Sequence, residues 1–123
     1  MKILIANRGE IALRIARTAQ RLGHGVVGVT TDVDSASQHA ISLNAITVPS
    51  YLDGAAIISA ARESECDAIH PGYGFLSENA SFAKDVVEAD LIWIGPNANV
   101  INSMGSKINA RAIAESAGVP LIP

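Results

Sequence analysis

The residues best suited to meet a ligand lie in one stretch, His70-Pro71-Gly72-Tyr73-Gly74-Phe75-Leu76-Ser77-Glu78-Asn79. Pro71 fixes one φ angle and removes an amide donor, while Gly72 and Gly74 permit positive φ and let a ligand approach the backbone on either side of the Tyr73 ring. The apolar run Ala68-Ile69-His70 feeds the stretch and a helical pattern from Ser81 follows it. It therefore sits where a strand ends in an alternating β/α chain, the edge at which ligands collect. The same residues also suit a tight strand-to-helix turn whose Tyr and Phe cap the core.

A second chemical signal is Met104-Gly105-Ser106-Lys107. A lysine at a helix start gains little from the dipole but places an ammonium beside exposed amides, where a phosphate is favoured. Other signals fail on context. Gly23-His24-Gly25-Val26-Val27-Gly28 matches a dinucleotide fingerprint literally, but it leaves a helix and enters a strand, the reverse of what that motif needs. At the correct place, after the first strand, Asn7-Arg8-Gly9-Glu10 has a single glycine and no room for a pyrophosphate. His24, His39 and His70 lack metal-site spacing and read as surface or loop histidines. The lone Cys66 reads as a small buried residue rather than a nucleophile.

The elements that position these residues alternate regularly. Ile3–Ala6 is a continuous apolar run of the kind buried on both sheet faces. Glu10–Leu22 is expected to be a helix whose buried face is Ile11, Ile15, Ala19 and Leu22, stopped by Gly23, with Arg14, Arg17 and Arg21 sharing the opposite stripe as a solvated face. Further strands are expected at Val26–Thr30, Ala45–Val48, Ala68–His70 and Leu91–Ile94. Helices are expected near Ser37–Leu43, over Leu52–Glu65 with Asp53 as N-cap, over Ser81–Ala89 and over Asn97–Met104, with another over Lys107–Ala117. The fold class that follows is α/β: a doubly wound, mostly parallel, five-stranded, Rossmann-like sheet.

Composition narrows the function. The 123 residues, 49% hydrophobic, suffice for one core but not for a multidomain ligase. The net charge of −3, with both signs interspersed, argues against a nucleic-acid partner. No apolar run is long enough for a membrane span, and the first residues lack a signal-peptide layout. The expected setting is reducing and cytoplasmic, or the mitochondrial matrix if a transit peptide has been removed.

Together and in this order, Ala6-Asn7-Arg8-Gly9-Glu10-Ile11-Ala12, the His70–Asn79 loop, Met104-Gly105-Ser106-Lys107 and Ala117-Gly118-Val119-Pro120 resemble the amino-terminal part of biotin carboxylases, including those of acyl-CoA carboxylases and pyruvate carboxylase. The resemblance covers essentially the whole chain. It implies a pre-ATP-grasp domain over 1–103, with 104–123 a helical linker and the start of an ATP-grasp region that continues beyond Pro123. It implies Lys107 as a contact of the ATP phosphates, Tyr73 and Gly74 as one wall of a biotin pocket, and Arg17 as a contact within a homodimer. The implied small molecules are ATP, bicarbonate, biotin and Mg²⁺, and the implied macromolecular partner is a biotin carrier domain. In the family the metal ligands and the groups that act on bicarbonate and biotin lie beyond Pro123, so no catalytic or metal-binding residue is expected here and the 123 residues alone are expected to be inactive. The competing readings are a non-catalytic scaffold or dimerisation module, and the front domain of another ATP-grasp ligase.

Overall fold

The computed structural model describes residues 1–104. Five strands, β1 (Lys2–Ile5), β2 (Gly25–Thr30), β3 (Ile46–Thr47), β4 (Ala68–His70) and β5 (Ile92–Trp93), alternate with helices α1 (Gly9–Arg21), α2 (Gln38–Ser42), α3 (Gly54–Glu63), α4 (Ala80–Glu88) and α5 (Ala98–Met104). The sheet order is β3-β2-β1-β4-β5, and every pairing is parallel. No helix among the described residues is long and apolar enough to cross a membrane.

The period-2 alternation of strand side chains divides β1 between two cores. Leu4 and Ala6 face a cluster built with Val27, Val29 and Ile69 and covered by Ile57, Ala60 and Ala61 of α3 and by Phe82 and Val86 of α4. Ile3 and Ile5 face the other way, with Ala68, toward Ala12, Ala16 and Ala19 of α1 and toward Leu43. Burial on both faces is why β1 reads as an unbroken apolar run. β3 and β5, the edge strands, have two residues each, which keeps the exposed ladder short.

The buried stripe of α1 is Ala12, Ala16 and Ala19, not the expected Ile11, Ile15, Ala19 and Leu22. Ile15 only packs from the side, Ile11 is half-buried, and Leu22 is 67% exposed. Alanines at i, i+4 and i+7 let the helix axis approach the sheet closely, so the smallest residues mark the contact face.

Four helices return to the sheet through one device. After α1 the amide of Gly23 bonds to the carbonyl of Gln20, and that of His24 to the carbonyl of Ala19. This is the six-to-one and five-to-two pairing of a Schellman motif, with Gly23 at φ +89°. The same pair of bonds closes α2, α3 and α4, with Asn44, Glu65 and Asp90 in the left-handed position. At the other ends, Asp53 Oδ1 caps α3 by accepting from the Ala56 amide, and Asn79 Oδ1 caps α4 by accepting from the Phe82 amide.

Candidate functional site

The strand order reverses between β1 and β4, since β2 and β3 lie on one side of β1 and β4 and β5 on the other. The loops leaving the carboxyl ends of β1 and β4 therefore flank the crevice where doubly wound sheets bind ligands. One loop is Ala6-Asn7-Arg8 and the other is the His70–Asn79 stretch.

Asn7 joins them. Its side chain is 2% exposed, and Nδ2 donates to the carbonyl of Pro71 at 3.0 Å and to that of Tyr73 at 2.7 Å. Its Oδ1 accepts from the Arg8 amide at 2.8 Å, which fixes the orientation of the amide. Gly72, at φ +68°, lies against Asn7 so closely that a Cβ there would stand 2.5 Å from Nδ2 and 2.9 Å from Asn7 Cβ. The Gly72 amide donates to His70 Nδ1 at 3.0 Å. Burial pushes the His70 pKa below its ordinary value, keeping the ring neutral and able to accept that bond.

Downstream the loop is held by aromatic packing. Phe75, at φ +44°, places its ring 5.1 Å from that of Tyr51, and Leu76 is buried. Tyr73 does the opposite: it is 80% exposed. A Cβ built on Gly74, at φ +71°, would meet no atom within 4 Å. The turn reading thus applies to Phe75 and Leu76, while Tyr73 and Gly74 present an aromatic face and open backbone to solvent. The apolar concavities do not include Tyr73 or Gly74: one lies beside α4 and β5 around Val87, Leu91 and Trp93, one between α1 and the sheet around Ile3, Ile15 and Ile94 reaches the stretch only at His70, and a smaller one against α5 reaches it at Ser77 and Glu78. The described residues offer a ligand at the loop one wall rather than a closed cavity.

Beneath the loops runs a polar network that links elements distant in sequence. Arg8 grips Asp34 in a two-pronged ion pair, Nε to Oδ2 and Nη2 to Oδ1, both at 2.6 Å. Tyr51 donates its hydroxyl to the same carboxylate at 2.7 Å. The hydrogen bond from Arg8, then that from Tyr51, holds the Asp34 pKa down at about 2. Burial, followed by the bond to Asp34, pushes the Tyr51 phenol up. His39 completes the network, and here the expectation of a surface or loop histidine is wrong: it is 1% exposed. Its Nδ1 accepts from the Gly9 amide at 3.2 Å and faces the Ser37 hydroxyl at 2.9 Å. That leaves the proton on Nε2, which faces the Val29 carbonyl at 3.1 Å. The signal in the sequence was slight, a serine two residues before a histidine. The partners that bury His39 come from β2 and from the chain before α3.

Of the other residues singled out in the sequence, Arg17 lies on the exposed face of α1 and donates to Glu10 Oε1 at 2.6 Å, with both side chains 66% exposed. Nothing in the described structure brings it to the loops. Cys66 is buried, and burial pushes its thiol pKa up, as expected of an inert packing residue. Among the described residues no group of three or more His, Cys, Asp or Glu could hold a metal ion. Ser106 and Lys107 lie outside the described residues.

Residues 1–101 match the family model described as biotin carboxylase, N-terminal domain. The chain is 52% identical to the mitochondrial methylcrotonoyl-CoA carboxylase subunit alpha of Glycine max, over 99% of this chain and 18% of that protein. It is 50% identical to a biotin carboxylase of Halalkalibacterium halodurans, over 99% of this chain and 28% of that one. Among solved structures, the biotin carboxylase domain of a thermophilic 2-oxoglutarate carboxylase, described as bound to ADP without magnesium, superposes with a TM-score of 0.93 at 38% identity, covering 99% of this chain and 28% of that one. In each case the chain spans less than a third of its relative.

Proposed function

The chain belongs to the family of biotin carboxylase N-terminal domains, and from that premise we propose that it works as the front domain of an ATP-dependent biotin carboxylase, a carbon–nitrogen ligase. In the proposed reaction ATP phosphorylates bicarbonate, giving carboxyphosphate and ADP, and the carboxyl group then passes to N1 of biotin with release of phosphate. The biotin arrives on a carrier domain. The observation that supports this reading best is the pairing, at the strand-order reversal, of a rigidly tied loop with an exposed Tyr73 ring and open Gly74 backbone.

Each part of the domain takes a role in this reading. Tyr73 and Gly74 form one wall of the biotin pocket. Arg8 is committed to Asp34 and acts as scaffold. The cation for the ATP phosphates is Lys107, assigned on the resemblance of Gly105-Ser106-Lys107 to the family's pattern. Magnesium is held by carboxylates of a following ATP-grasp region, the donor set that cation prefers. The domain alone is inactive, and the full-length enzyme is a homodimer with Arg17 at the subunit contact. The reading places the enzyme in the cytoplasm or the mitochondrial matrix.

The test is steady-state kinetics of the full-length enzyme, with free biotin and ATP varied separately. Because Gly74 sits at φ +71°, a β-branched residue there would strain the backbone, so the informative variants are Gly74→Asn, which tolerates that region, and Tyr73→Ala. Both should raise the KM for biotin and leave that for ATP unchanged. Unaltered biotin kinetics in both variants would return the loop to a structural turn.

A further inference from the structure

We infer that Asn7 is a positioning residue for biotin, acting through the loop rather than touching the ligand. The inference rests on the reading of Tyr73 and Gly74 as a wall of the biotin pocket. An asparagine amide offers two donors and one acceptor group, and here the donors face the Pro71 and Tyr73 carbonyls while the oxygen holds the Arg8 amide. Both N–H groups are engaged on backbone and the side chain is buried, so Asn7 has no donor left for a ligand.

What it controls is the orientation of two peptide planes. The Pro71 carbonyl belongs to the 71–72 peptide and the Tyr73 carbonyl to the 73–74 peptide, the bond between the two residues of the proposed wall. In a trans peptide the N–H points opposite to the C=O, and the protein has no cis bond among its described residues. By drawing the Tyr73 carbonyl inward, Asn7 therefore turns the Gly74 N–H outward. The alternative orientation would leave a buried amide facing nothing and would take Tyr73 off its present pose. Gly72 seals the arrangement, because its backbone can lie flat on the Asn7 side chain only without a Cβ. The other anchors of the loop, the His70 ring on the Gly72 amide and Tyr51 against Phe75, hold its two ends. Asn7 alone among these holds the 73–74 peptide.

The experiment uses the full-length enzyme carrying Asn7→Asp, which keeps the acceptor for Arg8 but replaces the donor with an oxygen facing two carbonyls. Asn7→Ser, smaller and able to admit a water, serves if the charged variant does not fold. The expected result is a rise of about tenfold or more in the KM for biotin, with the KM for ATP within about twofold of wild type. Hydrogen exchange of the amides at 72–76 should accelerate. Combined with Gly74→Asn, the biotin effect should be less than multiplicative, because both substitutions act on one loop. A merely structural role would move both KM values together, and that outcome, or an unchanged biotin KM beside a still-sensitive Gly74→Asn, overturns the inference alone. If Tyr73→Ala and Gly74→Asn are themselves silent toward biotin, it is the pocket reading that fails.

Discussion

Gly72 and Gly74 have nearly the same backbone angle, φ +68° and +71°, yet different surroundings. Replacing each with alanine separates what the angle costs from what the contact costs. Both variants incur the left-handed penalty of about 1–2 kcal/mol, partly offset by a less flexible unfolded chain. Only at position 72 does the new methyl also meet atoms, at 2.5 Å from Asn7 Nδ2 and 2.9 Å from Asn7 Cβ and Cγ. The Asn7 amide cannot swing aside without releasing the Pro71 and Tyr73 carbonyls, and Asn7 Cβ cannot move without β1. Overpacking of this kind costs about 1–3 kcal/mol, so Gly72→Ala should be less stable than Gly74→Ala by about that amount. Urea unfolding of the 123-residue chain reads the difference as a lower midpoint at an unchanged slope. Equal midpoints for the two variants would refute the close approach of Gly72 to Asn7.

Three further outcomes are expected. Because the Asp34 carboxyl is held at about 2 in the folded protein against an ordinary 3.8, the unfolded chain binds the extra proton, and the ion pair's contribution is present above pH 3.8 and lost as pH falls through about 2; the urea midpoints of wild type and Asp34→Asn should therefore differ at pH 5 and draw together as pH falls from 3.8 to 2, and a constant gap would exclude it. Lys107→Ala in the full-length enzyme should weaken ATP binding by about one to two orders of magnitude, since a charge-assisted phosphate contact is worth roughly 1.5–3 kcal/mol, and calorimetry showing normal affinity would remove Lys107 from the phosphate site. Arg17→Glu should shift the full-length enzyme from dimer toward monomer in sedimentation velocity while leaving the melting temperature of the 123-residue chain nearly unchanged, because its ion pair with Glu10 is exposed; an intact dimer would place the subunit contact elsewhere.

The sheet was legible in the sequence because continuous apolar runs between turn residues admit few alternatives, and the five expected strands lie within a residue or two of those observed. Helix caps at Asp53 and Gly23 were legible for the same local reason. The contact face of α1 was not: hydrophobicity ranks isoleucine above alanine, whereas close helix–sheet packing selects by size. The exposed loop of the candidate site announced itself through Pro71, Gly72 and Gly74, but its anchors did not. Asn7 meets Pro71 and Tyr73 across 64 and 66 residues, and His39 is buried by Val29 and Tyr51. Such partners become visible only once the strand order is known.

The repeated helix endings after α1, α2, α3 and α4 give the domain two edges that can change independently. All four lie at the amino ends of the strands, opposite the loops that carry Asn7, Tyr73 and Gly74. Three of the four place a side-chain-bearing residue, Asn44, Glu65 or Asp90, at positive φ, a position where glycine relieves strain. Sequence drift and stability engineering can therefore act on that lower edge, raising or lowering the margin against unfolding, without altering what the upper edge presents to a ligand. The architecture keeps a tolerance for mutation on one side of the sheet in reserve for selection on the other.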